Sequence, residues 1–402
     1  MIERIKLSNY KSLVDIDVKL GDLNVLIGEN GSGKSNFLSF LQMLKNGADG
    51  SLTTRINEMG GFAETIFYGA SSRSSLEWEL AFFDFYYNQL QKTRQTVYYS
   101  GSLVGRGQSY FQVQNEELER DPNPNHSERF KFLSYNTGRI RLLYSVSGEE
   151  SRDVDVTLKE QELVLSQITD PVRYPVMGSI RAQMSDWSIF RSFGFEALAN
   201  IRKAQLFSAT EPLRLEPDGS NLVSILQQLA NTPKYEKQYE RLLQVLSVVF
   251  DDFKRLDIPV TAGGMGALYY RSKIKPFENR QIPALSMSDG QLRFLGLVIL
   301  LLLPDPPPLI AIDEPEIGLH PKMMAILVEL LKEASERTQV IVTTHSPELL
   351  NDLTLENIIL VEKENGITTL KRPNTAHLEK WLERYSLGRL WTFGKLEASA
   401  RS

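Results

Sequence analysis

The sequence predicts an α/β protein built around a phosphate-binding loop. The stretch VLIGENGSGKSNFLSFL, residues 25–41, passes from a short apolar strand through a glycine-rich loop into apolar residues at helical spacing. Two later stretches, LIAIDEPE and QVIVTTHSPE, are apolar strands that end in polar residues, with a helical pattern between them. Strands that alternate with helices in this way are typical of a parallel sheet covered by helices.

The composition indicates a large globular chain. Its 402 residues allow two domains or one large divided domain, and 42% of them are hydrophobic. The net charge of −5 gives no overall attraction to nucleic acid, so any such contact requires a local basic patch. The chain has no cysteine, which excludes disulfides, thiolate metal sites and cysteine nucleophiles.

We also expect a cytoplasmic protein that does not cross a membrane. The N-terminal MIERIKLSNYKSL is charged and alternating, without the apolar stretch of a signal peptide. The most apolar run, FLGLVILLLL at residues 294–303, is far shorter than a membrane helix requires and predicts a buried helix instead.

The glycine-rich loop carries the first candidate site. The segment GENGSGKS fits G-x-x-x-x-G-K-[ST], in which backbone N–H groups surround a nucleotide phosphate. Lys34 would supply charge to the β and γ phosphates, and Ser35 would place a hydroxyl on Mg²⁺. The helix that begins here directs the positive end of its dipole at the same group. The predicted nucleotide-binding residues are Gly28, Glu29, Asn30, Gly31, Ser32, Gly33, Lys34, Ser35 and Asn36.

The ends of the two later strands carry candidate catalytic residues. Asp313 is placed to hold Mg²⁺ through water, and Glu314 to orient or deprotonate an attacking water. His345 ends the second strand. A lone histidine is more often structural than catalytic, but its position after a second parallel strand favours a role in sensing the γ-phosphate.

A second candidate anion site precedes the long apolar helix. In LSMSDGQLRFLGL, the residues Ser288, Gly290 and Gln291 lie at the helix N-terminus, where the dipole attracts an anion. A capped helix start, with Ser288 as N-cap, explains the same residues. Because one chain needs only one phosphate loop, this second helix start favours contact with the nucleotide of another subunit.

The remaining patterns predict strands first and helices later. Short alternating segments before and after the loop predict mostly antiparallel strands in the first third of the chain. Helical patterns follow from Met177 to Phe193 and then to about Leu256. A strand pair near residues 358–370 and a final helix near residues 378–385 complete the prediction.

The order of these motifs resembles the head of ABC-type ATPases. The segments GENGSGKS, SMSDGQ, the Asp-Glu pair, EIGLHP and TTHSP follow that order and are most similar to the RecF and SMC branch. The segments IERIKLSNYKSL, LRLEPDGSNLVSILQQL and YSLGRLWTFGKL resemble stand-alone ATPases akin to the ATPase half of OLD-family nucleases. The similarity covers most of the chain, closely at its two ends and loosely from about residue 52 to residue 172.

The resemblance implies a head with a P-loop (RecA-like) core, an antiparallel β subdomain and a helical lobe that carries the signature motif. Residues 1–170 and 304–402 would form the nucleotide-binding lobe, and residues 171–303 the helical lobe. In that family two heads sandwich two ATP molecules with Mg²⁺. A homodimer is therefore implied, and assemblies beyond a dimer stay open.

The resemblance also implies roles for individual residues. Ser288, Gly290 and Gln291 would contact the nucleotide of the partner subunit, and residues 318–321 would link the two sites. Lys34 and Glu314 would act in hydrolysis, and His345 would be the switch.

Three features depart from the family pattern or stay unassigned. The signature reads SMSDGQ where LSGGQ or LSDGQ is common, but the serine and glycine are kept. The glutamine that joins the metal to the helical lobe is unassigned, because Gln89, Gln91, Gln95 and others compete for that role. The coiled-coil arm with its zinc hook and the nuclease module of longer relatives are not recognised. The pairs Asp15/Asp17 and Asp153/Asp155 are interpreted as solvated strand faces rather than metal sites.

Three functions follow from this sequence. The favoured hypothesis is an ATPase whose ATP-bound dimer acts as a switch or clamp on nucleic acid or on a separate effector protein, in DNA repair or phage defence. The second is a scaffold that turns over ATP slowly while it holds an effector. The third, a transporter subunit, is disfavoured by the long stretch between loop and signature. The basic residues Arg271, Lys273, Lys275 and Arg280 offer a phosphate contact, although a solvated strand face is the commoner explanation.

Overall fold

The chain folds into two compact units. The computed structural model describes residues 1–69, 74–85, 95–106, 110–122, 128–144, 150–153, 157–191, 195–208, 211–261, 263–275, 278 and 280–396. The first unit comprises Met1–Trp187 and Ile359–Pro373, and the second comprises Ser188–Ile358 and Asn374–Ser402. These two units are defined by the contacts within each of them. The lobes implied by the family resemblance are defined by function instead, and they stay a prediction.

The described strands are short to medium in length and occur throughout both units. In chain order they are β1 (Ile2–Tyr10), β2 (Leu13–Lys19), β3 (Leu23–Ile27), β4 (Ser75–Phe85), β5 (Gln95–Arg106), β6 (Tyr110–Arg120), β7 (Phe130–Asn136), β8 (Arg139–Tyr144), β9 (Glu150–Asp153), β10 (Ser188–Arg191), β11 (Gln205–Leu206), β12 (Phe253–Asp257), β13 (Met265–Gly266), β14 (Tyr269–Ser272), β15 (Gln281–Pro283), β16 (Leu309–Asp313), β17 (Gln339–Thr344), β18 (Ile358–Glu364) and β19 (Ile367–Lys371).

The described α-helices are concentrated in the second unit. In chain order they are α1 (Lys34–Ala48), α2 (Leu52–Glu58), α3 (Phe62–Thr65), α4 (Val164–Gln167), α5 (Pro175–Ser185), α6 (Phe195–Arg202), α7 (Leu222–Asn231), α8 (Glu236–Val249), α9 (Asp289–Leu301), α10 (Pro321–Ser335), α11 (Pro347–Leu350), α12 (Thr375–Leu382) and α13 (Leu387–Thr392). No helix among the described residues is both long enough and apolar enough to cross a membrane.

The first unit is built on a large mixed sheet. Its strand order is β3-β18-β19-β2-β1-β4-β5-β6-β7-β8-β9. From β2 to β9 every neighbouring pair is antiparallel, which confirms the antiparallel strands predicted for the first third of the chain. The β3 strand is buried along its whole length and leads directly into the glycine-rich loop and α1. A buried strand that leads into such a loop is the arrangement the local pattern predicts.

The second unit contains a small parallel sheet. Strands β10, β16 and β17 pair in parallel, with β16 in the middle. Both β16 and β17 have apolar centres and are almost entirely buried, as expected of strands that are covered on both faces. The apolar run that precedes them lies in α9, whose residues from Phe294 to Leu301 are buried, so the predicted buried helix is confirmed.

The predicted helix from Met177 to Phe193 is wrong in its second half. Helix α5 ends at Ser185, and Ser188–Arg191 forms β10 instead. The residues of β10 pair in register with Ile310 to Asp313 of β16. Periodicity over so short an apolar segment does not separate strand from helix, and pairing with a distant strand decides the conformation. The helical pattern extended to about Leu256 is wrong in the same way, because α8 ends at Val249 and β12 follows.

A fully buried carboxylate lies in the first unit. Glu116, on β6, accepts hydrogen bonds from the backbone N–H groups of Val164 (2.6 Å) and Leu165 (2.9 Å) in the first turn of α4. The hydroxyl of Tyr99 also donates to it, at 3.0 Å. Burial raises the pKa of Glu116 from an ordinary 4.5 to about 7, although the three hydrogen bonds oppose this rise.

Glu116 is therefore expected to make stability fall as pH rises. Because its pKa is higher in the folded protein, its contribution is fully present below pH 4.5 and is lost as pH approaches 7, an effect of about 3 kcal/mol. Denaturant unfolding of the wild type and of Glu116→Gln, at about pH 5 and about pH 8, isolates this contribution because glutamine does not titrate. The stability difference between the two proteins should change with pH; a constant difference would contradict the assignment.

Candidate functional site

The glycine-rich loop is held tightly by its own unit. Gly31 and Gly33 have left-handed φ values of 79° and 109°, which glycine adopts without strain. A Cβ at Gly28 would lie 2.2 Å from the carbonyl oxygen of Val361, and a Cβ at Gly33 would lie 2.3 Å from Thr368 Oγ1. The loop thus requires glycine at both positions for close packing against β18 and β19.

Polar side chains from distant segments fix the same loop. Thr368 Oγ1 lies 2.7 Å from the carbonyl oxygen of Ser32 and 2.8 Å from Ser12 Oγ. The Asn36 side chain donates to Ser12 Oγ at 2.8 Å, so the turn between β1 and β2 is tied to the start of α1. Buried hydrogen bonds of this kind hold the loop in one conformation.

The lysine and a serine of the loop are arranged to meet an anion. Lys34 is 4% exposed, and its Nζ donates to the carbonyl oxygens of Gly28 (2.7 Å) and Glu29 (3.0 Å). Ser32 Oγ is buried and has no hydrogen-bond partner among the described atoms. A buried hydroxyl without a partner is costly, and an acceptor placed at the loop would satisfy it. The first turn of α1 contains no acidic residue that would repel an anion.

The ends of β16 and β17 bring candidate catalytic residues together in the second unit. Asp313 and Thr343 face each other in the parallel register, and the Thr343 hydroxyl donates to Asp313 Oδ1. The backbone N–H of Glu314 donates to the Thr343 carbonyl oxygen at 3.1 Å. Glu314 itself has a left-handed φ of 47°, which is uncommon for a residue with a side chain. His345 Nδ1 lies 3.3 Å from Glu314 Oε1.

The start of α9 is a fully formed capping box. Ser288 Oγ accepts from the Gln291 N–H at 3.2 Å, and Gln291 Oε1 accepts from the Ser288 N–H at 2.9 Å. Arg202 pins the segment from α6 by donating to Asp289 Oδ1 (2.6 Å) and to the Met287 carbonyl oxygen (3.0 Å). Ser288 remains exposed despite these bonds.

The capped segment packs directly against the loop that precedes α10. A Cβ at Gly290 would lie 2.5 Å from the carbonyl oxygen of Gly318. Arg293 donates to the carbonyl oxygen of Ile317 at 3.2 Å. The signature segment and the EIGLHP segment are therefore in contact within one chain.

Two family models match this chain. One, described as an AAA ATPase domain, matches residues 1–161. The other, described as an AAA domain, putative AbiEii toxin, Type IV TA system, matches residues 190–351. Among curated proteins, the retron Ec83 probable ATPase of Escherichia coli is 22% identical over 401 residues, which cover 89% of this chain and 71% of that protein.

Solved SMC heads share the fold. An SMC head bound to the C-terminal winged-helix domain of ScpA superposes with a TM-score of 0.54 at 16% identity, covering 95% of this chain and 99% of the other. A Pyrococcus furiosus SMC head with an extended coiled coil, bound to the C-terminal domain of ScpA, gives 0.51 at 13% identity, covering 95% and 98%. Two separate parts of the chain are thus similar to AAA ATPase family models, and the chain shares the fold of the SMC heads. The structural likeness shows the fold, a mixed α/β head with a large sheet.

The predicted site residues form separate groups in the structure. Residues 28–36 lie together in the first unit, at the loop and the start of α1. Asp313, Glu314 and His345 lie together at the ends of two neighbouring parallel strands of the second unit. The signature residues lie in the second unit at the start of α9. Their roles toward a nucleotide stay predictions.

Sequence reasoning missed several residues that support these groups. Thr343 and Glu316 stand inside the quoted segments TTHSP and EPE, so the motifs themselves offered a signal for them. Ser12 stands inside the N-terminal segment that carried the family resemblance. Thr368 and Arg202 had no signal, because each is an isolated polar residue far from the segment it contacts.

Other residues singled out in the sequence are placed less usefully for binding. Arg271 lies on β14 in an ion pair with Asp257, so its charge is largely neutralised, whereas Lys273 and Lys275 are exposed beyond the strand end. Arg280 is exposed. Asp15 and Asp17 are exposed on β2, and Asp17 pairs with Arg4 at 2.5 Å, as predicted for a solvated face.

The remaining glutamine and aspartate candidates fall partly outside the described residues. Gln89, Gln91 and Asp155 lie outside the described residues. Gln95 and Asp153 lie within β5 and β9 respectively. The glutamine that would join the metal to the helical lobe therefore stays unassigned.

Replacing Gly290 by alanine is expected to destabilise the second unit. The new Cβ would meet a backbone oxygen 2.5 Å away, and backbone moves less readily than a side chain. Because the clash is with backbone, its cost is expected in the upper part of the range of about 1–3 kcal/mol for overpacking. Alanine's higher helix propensity recovers about 1 kcal/mol, so the expected net loss is about 1–2 kcal/mol. Denaturant unfolding measures the net loss. Gly21→Ala is the matched control, because nothing lies within 4 Å of its Cβ; equal stability of the two variants would contradict the close contact.

Proposed function

We propose that this chain binds ATP with Mg²⁺ and hydrolyses it, and that the ATP-bound form is a homodimer that switches a separate effector protein. Nucleic acid is the other candidate target of the switch. The observation that carries the proposal is the acidic pair at the end of β16 with His345 beside it, in a chain that also has a complete phosphate loop.

The loop fits the phosphates of a nucleotide. Its backbone turns at left-handed glycines, Ser32 Oγ is buried without a partner among the described atoms, and Lys34 is already directed at the loop. Ser35 and Asp313 would hold Mg²⁺, which when bound neutralises phosphate charge. In the proposal, Lys34 exchanges its loop carbonyl partners for phosphate oxygens.

Glu314 is the candidate general base. Its backbone is fixed by the Thr343 carbonyl oxygen, and the strained φ of 47° keeps its carboxylate beside His345. From that place Glu314 would accept a proton from an attacking water, and His345 would keep the carboxylate oriented. Thr343, by donating to Asp313, keeps the neighbouring carboxylate in place.

The signature segment supports dimerisation. Ser288 and Asp289 are exposed at a helix N-terminus, so they are accessible to a second chain, and Leu285 just before them is 70% exposed. The retron ATPase and the toxin–antitoxin description of one family model favour the effector as the target of the switch. A slow ATP-gated scaffold differs from this proposal only in turnover rate.

Phosphate release by the purified chain, with ATP and Mg²⁺, tests the proposal. We expect turnover that requires Mg²⁺ and that is lost on its chelation. Adding duplex DNA separates the two targets, since stimulation would favour nucleic acid over a protein effector. Absence of ATP binding in a thermal-shift titration would contradict the proposal at its first step.

A further inference from the structure

Glu316 is a buried carboxylate in the EPE segment just after the candidate general base. Its side chain is 5% exposed, whereas the side chains of Glu314 and His345 are 26% and 43% exposed. Burial raises the pKa of Glu316. Removing a carboxylate from water costs several kcal/mol unless partners compensate, so its contacts need an explanation.

The hydrogen bonds that the Glu316 side chain accepts from other described residues come from the segment that carries His345. Glu316 Oε1 accepts a hydrogen bond from Thr344 Oγ1 at 2.5 Å and from the His345 backbone N–H at 3.2 Å. The Thr344 hydroxyl in turn accepts from the Ser346 N–H at 3.0 Å. The residues on both sides of His345, and His345 itself, are thus tied directly or through one hydroxyl to a single carboxylate oxygen.

The same oxygen also lies close to the imidazole. His345 Nδ1 is 3.6 Å from Glu316 Oε1 and 3.3 Å from Glu314 Oε1. Glu316 Oε1 already accepts hydrogen bonds from the Thr344 hydroxyl and the His345 N–H, and an accepting oxygen is matched by an N–H, so these two carboxylate oxygens favour a proton on Nδ1. That leaves Nε2 of the neutral ring as the acceptor.

Part of the buried carboxylate is not satisfied. Glu316 Oε2 has no hydrogen-bond partner among the described atoms. A hydrophobic residue of similar size would avoid that cost, so packing alone does not account for a glutamate here. The hydrogen bonds to the His345 segment are the gain that a glutamate supplies and a leucine does not.

We propose that Glu316 is a positioning residue, which holds His345 beside Glu314 and fixes its ring with the proton on Nδ1. The inference rests on the proposed function for its importance to hydrolysis. The placement of the ring, however, is a property of the protein without nucleotide. The positioning role and the proposed function can therefore be tested separately.

The direct test observes the ring nitrogens. The chain has four histidines, so ¹⁵N-histidine labelling gives a small spectrum, and His345→Asn assigns the signal. In the nucleotide-free wild type, at a pH at which histidine rings are neutral, we expect ¹⁵N chemical shifts that show the proton on Nδ1. Glu316→Ala and Thr344→Val should shift the signal toward the mixture of tautomers seen for free imidazole. Glu316→Gln keeps the acceptor oxygen and Thr344→Ser keeps the hydroxyl, so both variants should retain the wild-type signal.

The control is Glu348→Gln. Glu348 follows the same strand and accepts from Ser346 Oγ at 2.6 Å, but it is exposed and does not contact His345 in the described structure. Its replacement should leave the ring signal unchanged. Thr344→Val keeps the shape of the buried threonine, so it provides a readout if Glu316→Ala fails to fold.

Turnover gives the second readout. Glu316→Ala and Thr344→Val should lower kcat by about tenfold or more, with KM for ATP changed by less than about twofold. An unchanged ring signal in both variants, or an equal change in Glu348→Gln, overturns the positioning role whatever happens to turnover. A shifted ring signal in a chain that does not hydrolyse ATP at all would support the positioning role and overturn the proposed function.

Discussion

Replacing Lys34 by alanine is expected to lower ATP turnover by about 100- to 1,000-fold. The ammonium group of Lys34 is buried in the glycine-rich loop, where it donates to two backbone carbonyl oxygens. In the proposed reaction its positive charge stabilises the negative charge of the phosphates. This attraction is stronger in a site that contains little water, because the effective dielectric constant is lower there. Phosphate-release kinetics and ATP-dependent thermal shifts measure the two losses, since weaker ATP binding should accompany the fall in rate.

The control for this variant is Lys45→Ala on the same helix. Lys45 donates to the Trp187 carbonyl oxygen at 2.6 Å, at the other end of α1 from the glycine-rich loop. Its loss should reduce stability by about 1 kcal/mol without affecting turnover. Turnover of Lys34→Ala within a few-fold of the wild type would show that this lysine does not bind phosphate.

Replacing Glu314 by glutamine should reduce turnover by about 100-fold or more and leave ATP binding intact. Glutamine keeps the size of the side chain, and the backbone bond to Thr343 is unaffected, so only the ability to accept a proton is removed. Single-turnover kinetics separate the chemical step from binding.

Glu333→Gln serves as the matched carboxylate control for Glu314. Glu333 forms a surface pair with Arg241 at 3.0 Å, and exposed pairs of this kind contribute little to stability. This variant should turn over ATP like the wild type. If Glu314→Gln also did so, the general base would have to be another residue.

The parts of the site that were predictable are those with a strong local pattern. The strand before the loop, the loop itself and the helix after it follow one another within a single segment, and the structure places them as predicted. Asp313 and Glu314 could be predicted as a pair because an apolar strand ends at them. The contact of Glu314 with His345 was not itself predicted; it arises because β16 and β17 are neighbouring parallel strands, whose carboxyl ends lie at the same edge of the sheet.

The parts that were not predictable depend on pairing between distant segments. Ser188–Arg191 becomes a strand because β16 offers a parallel edge, which no local pattern reveals. Thr368 donates a hydrogen bond to the Ser32 carbonyl oxygen, although most of the sequence separates the two residues. In the sequence, Glu116 is one more polar residue of a strand in which polar and apolar residues alternate. Its raised pKa results from burial, which depends on the packing of α4 against it.

The central claim, a dimer that forms around ATP, is tested most directly by the solution mass of Glu314→Gln with ATP and Mg²⁺, measured by light scattering. The proposal predicts twice the 45.7 kDa of one chain with ATP and a single-chain mass with ADP. Adding Ser288→Arg, at the exposed start of α9, should return the ATP-bound protein to the single-chain mass. A mass of one chain under both nucleotides, with ATP bound, would contradict the claim.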